Sequence, residues 1–232
     1  MARRLVLWDV DGTLIRSGGL GRDAFVVALR DVLGRPVHVD DVQLAGKTDP
    51  QIARELLVAA GVRTADVDRL LPRLLAATEA QLARDRDRLP ALGHVLPGVE
   101  QLLARFSASD DVHQALLTGN TRHNAEVKVS AFGLDRFLDL DAGAYGSDHH
   151  DRTCLVPVAV DRARPHGFSG DAADVWVVGD TPNDLACARA GGARCLLVAT
   201  GGYRRDELDG LGADAVRDDL AAVDDVAALL AA

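Results

Sequence analysis

The chain has 232 residues, 48% of them hydrophobic, and a formal net charge of −9 at pH 7. That size suits one domain with a sizeable insertion or two small domains, with enough apolar residues to bury a core. The acidic balance argues against nucleic-acid binding, three widely spaced cysteines without a CxxC pair argue against a disulfide framework, and the short apolar run after Arg4 argues against a signal peptide or membrane span; the expectation is a cytoplasmic chain.

Residues 5–8 are apolar without alternation, the pattern of a strand covered on both faces. The strand runs into Asp9-Val10-Asp11-Gly12-Thr13. Side chains alternate along a strand, so Asp9 and Asp11 point the same way, and two like charges that close repel. Asp11-Gly12 is also an ordinary turn dipeptide, but a turn gives Asp9 no role. From residue 17 to residue 94 the spacing becomes helical. Residues 22–33 carry Phe25, Val26, Leu29 and Leu33. Residues 49–60 carry Ile52, Leu56 and Leu57, with Asp49 as the expected N-cap and Pro50 in the first turn. Residues 65–83 carry Val67, Leu70, Leu74 and Leu82, with Pro72 kinking or dividing that helix. No strand is expected there, so the segment reads as a helical insertion.

The stretch LPGVEQLLARF then opens the next core helix, with Leu102, Leu103 and Phe106 facing inward. Residues 115–117 form a second buried strand that ends in Thr118-Gly119-Asn120. Thr118 either caps the following helix or, with the amides of Gly119 and Asn120, binds an anion at its N-terminus. Residues 175–178 end in Gly179-Asp180-Thr181-Pro182-Asn183-Asp184. One of Asp180 and Asp184 serves easily as a helix cap; both do so less readily. Residues 195–199 are a further strand and residues 218–232 a terminal helix. The alternation predicts an α/β fold, a Rossmann-like parallel-sheet core, with ligands beyond the carboxyl ends of the strands. Four carboxylates at one sheet edge call for a cation, and oxygen ligands without Cys or His favour Mg²⁺.

Taken together, DVDGT at 9–13, TGN at 118–120 and GDTPND at 179–184 resemble the haloacid dehalogenase (HAD) superfamily, in its phosphatase branch. VATGGYRRDEL at 198–208 resembles its phosphoglycolate-phosphatase-like members. The resemblance implies a catalytic core at 1–16 and 95–232 and a helical cap domain at 17–94, inserted after the first strand. It implies that Asp9 is the nucleophile, forming an aspartyl-phosphate. Asp11 would be the general acid that protonates the leaving alkoxide and then the base that activates water, holding a proton while Mg²⁺ keeps Asp9 ionised. Mg²⁺ would be held by Asp9, the Asp11 carbonyl and Asp180, with Asp184 supporting its shell through water. Thr118 with Gly119 and Asn120 would bind the phosphoryl oxygens, and Gly12 would make the tight turn beside them.

One family position is not matched: no lysine lies between Thr118 and Asp180 in the usual place. Arg152 is the expected substitute, although it is not equivalent to lysine. Lys128, on the helix after Thr118, is the second candidate for that position, though it reads more readily as a helix-packing or surface lysine, and His149 and His150 read as a solvated loop. Lys47, in AGKTDP at 45–50, is the candidate cap-loop cation for the phosphate or leaving group. Gly18 and Gly19 are candidate hinge residues. The implied function is Mg²⁺-dependent hydrolysis of a small phosphorylated metabolite of the phosphoglycolate or sugar-phosphate type, by a monomer or homodimer. The alternatives are a phosphomutase of the β-phosphoglucomutase kind and a non-catalytic binding protein on the same fold.

Overall fold

The structure is a computed structural model that describes residues 1–38 and 42–232. Among the described residues the elements run β1 Arg4–Trp8, β2 Ile15–Arg16, α1 Leu20–Leu33, α2 Asp49–Ala59, α3 Thr64–Arg84, α4 Leu89–Leu92, β3 His94–Val95, α5 Val99–Ser107 and β4 Val112–Thr118. They continue as α6 Arg122–Ala131, β5 Asp139–Tyr145, α7 Leu155–Ala163, β6 Val175–Gly179, α8 Pro182–Ala190, β7 Arg194–Val198, α9 Arg205–Asp209, β8 Ala215–Arg217 and α10 Val223–Ala231. None of these helices is long and apolar enough to cross a membrane.

Six strands form one parallel sheet in the order β5-β4-β1-β6-β7-β8. The unbroken apolarity of β1 has a direct cause. Val6 and Trp8 face a core shared with Leu102, Phe106 and Leu230, while Leu5 and Leu7 face a second core with Leu155, Ala159 and Cys187. Helices therefore cover both faces, as in an α/β Rossmann-like fold. Two sheet strands fall outside the expected set. β5 reads DLDAGAY and β8 only AVR, both at sheet edges where one neighbour suffices and a buried apolar run is not needed.

The helical insert has its own core, in which Phe25, Leu29, Ile52, Leu56, Leu57 and Leu74 are buried together. Each such side chain contributes roughly 1.5–3 kcal/mol of burial. Two details differ from expectation. The segment is not strand-free, because His94 opens β3, which pairs antiparallel with β2 through Ile15↔Val95 and Arg16↔His94. A two-residue strand is too short to show a period. The N-cap of α2 is Thr48 rather than Asp49: its side chain accepts from the Gln51 amide at 3.3 Å. Pro72 lies inside α3, which runs through it as one helix. Gly18 and Gly19 sit between β2 and α1, both at positive φ.

Candidate active site

Strands β4, β1 and β6 are neighbours, and Trp8 stands level with Leu116 and Val178. The next residues of all three strands therefore meet at one edge: Asp9 after β1, Thr118 at the end of β4, and Asp180 after β6. The Asp9 amide donates to the Val178 carbonyl at 2.9 Å, which fixes Asp9 against β6. The chain then turns at Gly12, with φ of 84°. A Cβ at Gly12 would lie 2.5 Å from Asp180 Oδ2, so a side chain is excluded twice over, by backbone angle and by the carboxylate.

Asp9, Asp180 and Asp184 are all buried, and one oxygen of each lies within 4.8 Å of the others. Asp184 is held by its own helix start: Oδ2 accepts from the Thr181 amide at 2.9 Å and the Thr181 hydroxyl at 2.7 Å. Arg152 reaches the cluster from a short 3₁₀ turn, Arg152–Cys154. Its Nη2 pairs with Asp9 Oδ1 at 3.2 Å and with Asp184 Oδ1. The Cys187 thiol, donating to the Arg152 carbonyl at 2.9 Å, pins that turn to α8. Asp180 is the least satisfied of the three, with one side-chain hydrogen bond among the described residues, from Thr13 Oγ1 at 3.4 Å.

The charge balance follows. Burial pushes the Asp9 carboxyl up to about 6, with Arg152 opposing and Asp184 and Asp11 adding to the rise. Burial, then Asp184 and Asp9, push Asp180 up to about 8. One guanidinium does not neutralise three buried carboxylates. The donor set is all oxygen, from three converging acids, and so fits a hard divalent cation such as Mg²⁺.

Asp11 has a separate cation. Its Oδ2 accepts from Lys128 Nζ at 2.5 Å and from Asn120 Nδ2 at 2.9 Å, while Asn120 Oδ1 accepts from Lys128 at 2.7 Å. Desolvation alone would raise the Asp11 carboxyl, but Lys128, with hydrogen bonds from Asn120 and Ser17, outweighs it and holds Asp11 below the usual range. Without a divalent cation Asp9 is thus the harder to ionise and Asp11 the easier, so the ionised Asp9 depends on the cation and Asp11 does not hold a proton on its own. Lys128 is the reason, and its reading as a helix-packing or surface lysine is corrected. The lysine side chain is only 6% exposed and closes a triangle with Asp11 and Asn120. One signal was available in the sequence: Lys47 and Lys128 are the only lysines among 26 basic residues.

The remaining positions divide. The Thr118 hydroxyl is fully buried, hydrogen-bonds to Asp9, and accepts from Asn120 N at 3.3 Å and Asn120 Nδ2 at 2.9 Å. Gly119 packs under the cap loop, where a Cβ would stand 2.1 Å from the Lys47 carbonyl oxygen. The Lys47 ammonium is paired with Glu55 Oε2 at 2.5 Å, yet lines the same cavity as the acids. His149 and His150 stack on each other, ring centroids 4.8 Å apart, and neither is among the residues lining the cavity that holds the acids. The cavity measures about 650 Å³, with the carboxylates on its floor and Phe25, Ile52, Thr78 and Leu82 among its cap-side walls.

Comparison with known proteins matches this arrangement. The family model described as haloacid dehalogenase-like hydrolase matches residues 6–189, and a second, HAD-hydrolase-like, matches residues 155–228. The chain is 29% identical over 231 residues to the phosphoglycolate phosphatase of Rhodospirillum rubrum, covering 96% of this chain and 90% of that protein. It is 31% identical over 213 residues to the probable phosphatase IndB of Dickeya dadantii, covering 88% and 84%. A hydrolase from Pseudomonas syringae shares the fold, with a TM-score of 0.70 at 22% identity over 94% of both chains.

Proposed function

The chain belongs to the haloacid dehalogenase-like hydrolase family, and from that premise we propose that it is a phosphoric monoester hydrolase acting on a small phosphorylated metabolite, of the phosphoglycolate or sugar-phosphate type, through an aspartyl-phosphate on Asp9. The observation that carries the reading is the split of charge at the sheet edge. Asp9 shares Arg152 with Asp184, whereas Asp11 is paired with Lys128. Two neighbouring carboxyls in different electrostatic settings suit a nucleophile and an acid–base group.

Asp9 attacks phosphorus, and Arg152 lowers the cost of its ionised form. Thr118 orients the Asp9 carboxylate, and the 118–120 segment lines the floor where phosphoryl oxygens are received. The arriving phosphoryl group raises the proton affinity of Asp11 by like-charge repulsion. Asp11 then takes up a proton from solvent and passes it to the leaving oxygen, and Lys128 and Asn120 stabilise the resulting carboxylate. That carboxylate next takes a proton from the water that cleaves the aspartyl-phosphate. Mg²⁺ held by Asp9 and Asp180, with Asp184 behind them, would supply positive charge to the nucleophile and phosphoryl oxygens. Residues 17–94 act as a cap over a core of 1–16 and 95–232, excluding water from the cavity between them. Free thiols at Cys154, Cys187 and Cys195 agree with a cytoplasmic setting.

The test is phosphate release from p-nitrophenyl phosphate with Mg²⁺, then from a panel of phosphorylated metabolites, with Asp9→Asn as the control. Turnover in the wild type and none in the variant is expected. Equal turnover by both proteins, or none on any compound, overturns the reading. A sugar 1-phosphate that yields its isomer rather than free phosphate assigns a phosphomutase.

A further inference from the structure

The N-terminus of α6 already holds an anion, and the anion comes from the cap. Asp49, the first residue of α2, is buried, and its Oδ2 accepts from the Thr121 amide at 2.8 Å and from Asn124 Nδ2 at 2.8 Å. Its own amide donates to the Gly119 carbonyl at 2.7 Å. Next to it, Thr48 Oγ1 donates to the His150 carbonyl at 2.7 Å, and Gly46 O accepts from Arg152 Nη1 at 3.4 Å. The seat is close-fitting. A Cβ on Gly119 would lie 2.1 Å from the Lys47 carbonyl oxygen and 3.1 Å from Thr48 Cα, both backbone atoms, so glycine there lets segment 46–49 in. A buried carboxylate is costly unless donors surround it, and helix-start amides with the helix dipole are suitable donors. Asn124 shows the strength of that demand: its Oδ1 is buried without a partner among the described residues while its Nδ2 serves Asp49.

This contact sits inside the acid–base arrangement. Asn120 immediately precedes Thr121, and Lys128 lies one helical turn beyond Asn124 on the same face of α6. Asn120 and Lys128 are the two residues that hold Asp11 Oδ2. We infer that Asp49 is a positioning residue: it locks cap segment 46–49 onto the start of α6 and, through that helix, sets Asn120 and Lys128 on Asp11. Seating of the cap and assembly of the acid–base group then depend on one carboxylate. The catalytic consequence rests on the phosphatase reading; the contact itself does not.

Amide hydrogen exchange on the full chain tests the contact, and p-nitrophenyl phosphate kinetics with Mg²⁺ test its consequence. Asp49→Ala is expected to raise exchange at 46–52 and at 119–128 together, with strands β1 and β6 unchanged. Its kcat falls by about tenfold or more with a smaller change in KM, as for a displaced catalytic group. Asp49→Asn keeps an acceptor for the Thr121 amide and offers a donor to Asn124 Oδ1, so it recovers most of the kcat. Asn124→Ala cuts the contact from the other side and is expected to raise exchange across the interface, at 46–52; it replaces Asp49→Ala should that variant not fold. Exchange changes confined to the mutated segment, or kcat within about twofold of wild type in Asp49→Ala, overturn the inference. A wild type without phosphatase activity removes the phosphatase reading, while the exchange pattern still decides whether Asp49 couples the two segments.

Discussion

At the scale of single residues, the site is decided by which cation each carboxylate receives. Arg152 is legible from spacing and charge need: a cluster of acids requires a cation, and the linking segment after Thr118 offers an arginine. Lys128 ranks only second in the sequence because its position depends on the pitch of α6, which brings a residue eight beyond Asn120 back over Asp11. Nothing in the local sequence of 122–131 marks that lysine as facing a carboxylate. Its pairing with Asp11 makes Lys128 the cation expected to matter more for the proposed proton transfer. Lys128→Met keeps the apolar stem and removes the charge, leaving Asp11 with Asn120 and Ser17. The Asp11 carboxyl then rises, and kcat/KM for p-nitrophenyl phosphate with Mg²⁺ is expected to fall by roughly 10²-fold, the size of a lost general acid–base contribution. Steady-state kinetics check this, and a variant within a few-fold of wild type removes Lys128 from the acid–base arrangement.

At the scale of elements, legibility followed burial. β1, β4 and β6 are central strands covered on both faces, so they read as apolar runs, with the acids in plain view at the carboxyl ends of β1 and β6 and Thr118 at that of β4. β5 and β8 are edge strands with small or polar residues, and β2 and β3 are two residues each, so none shows a period. The helices of the insert were legible by spacing, but the α2 start was shifted by one residue because Asp49 is drawn into contact with α6, leaving Thr48 to cap. α3 tests how far the cap depends on local propensity. Pro72 is exposed on an unbroken helix whose buried face is Val67, Leu70, Leu74, Thr78 and Leu82. Proline there lacks the amide for an i→i−4 bond and is held in place by packing on either side. Pro72→Ala is therefore expected to stabilise the chain by about 1–3 kcal/mol, read as a raised thermal midpoint with kcat unchanged. A lowered midpoint shows instead that the helix needs a bend at that point.

At the scale of the whole molecule, the chain bears a net charge of −9, and buries three of its acids side by side at the edge of its main sheet. Without a divalent cation that cluster works against folding. The folded state holds protons on Asp9, with its carboxyl at about 6, and on Asp180, at about 8, more tightly than the unfolded chain, whose carboxyls titrate near 3.8. A group whose acid form is favoured in the fold contributes stability at low pH and loses it as pH rises through the folded value. Metal-free protein is thus expected to lose stability from about pH 4 to about pH 8 through these two groups. A divalent cation reverses the sign, because it binds the ionised carboxylates of the folded state alone. At about a hundred times its dissociation constant it adds about 2.7 kcal/mol, and for a chain of this size that raises the midpoint by about 5–10 °C. Thermal unfolding with EDTA and with Mg²⁺, at acidic, neutral and mildly basic pH, measures both trends. The Mg²⁺-dependent rise is expected to grow with pH, and Asp180→Asn to abolish that rise and reduce the metal-free decline. A Mg²⁺ effect that is the same at every pH, or that survives in Asp180→Asn, places the cation elsewhere than on these carboxylates.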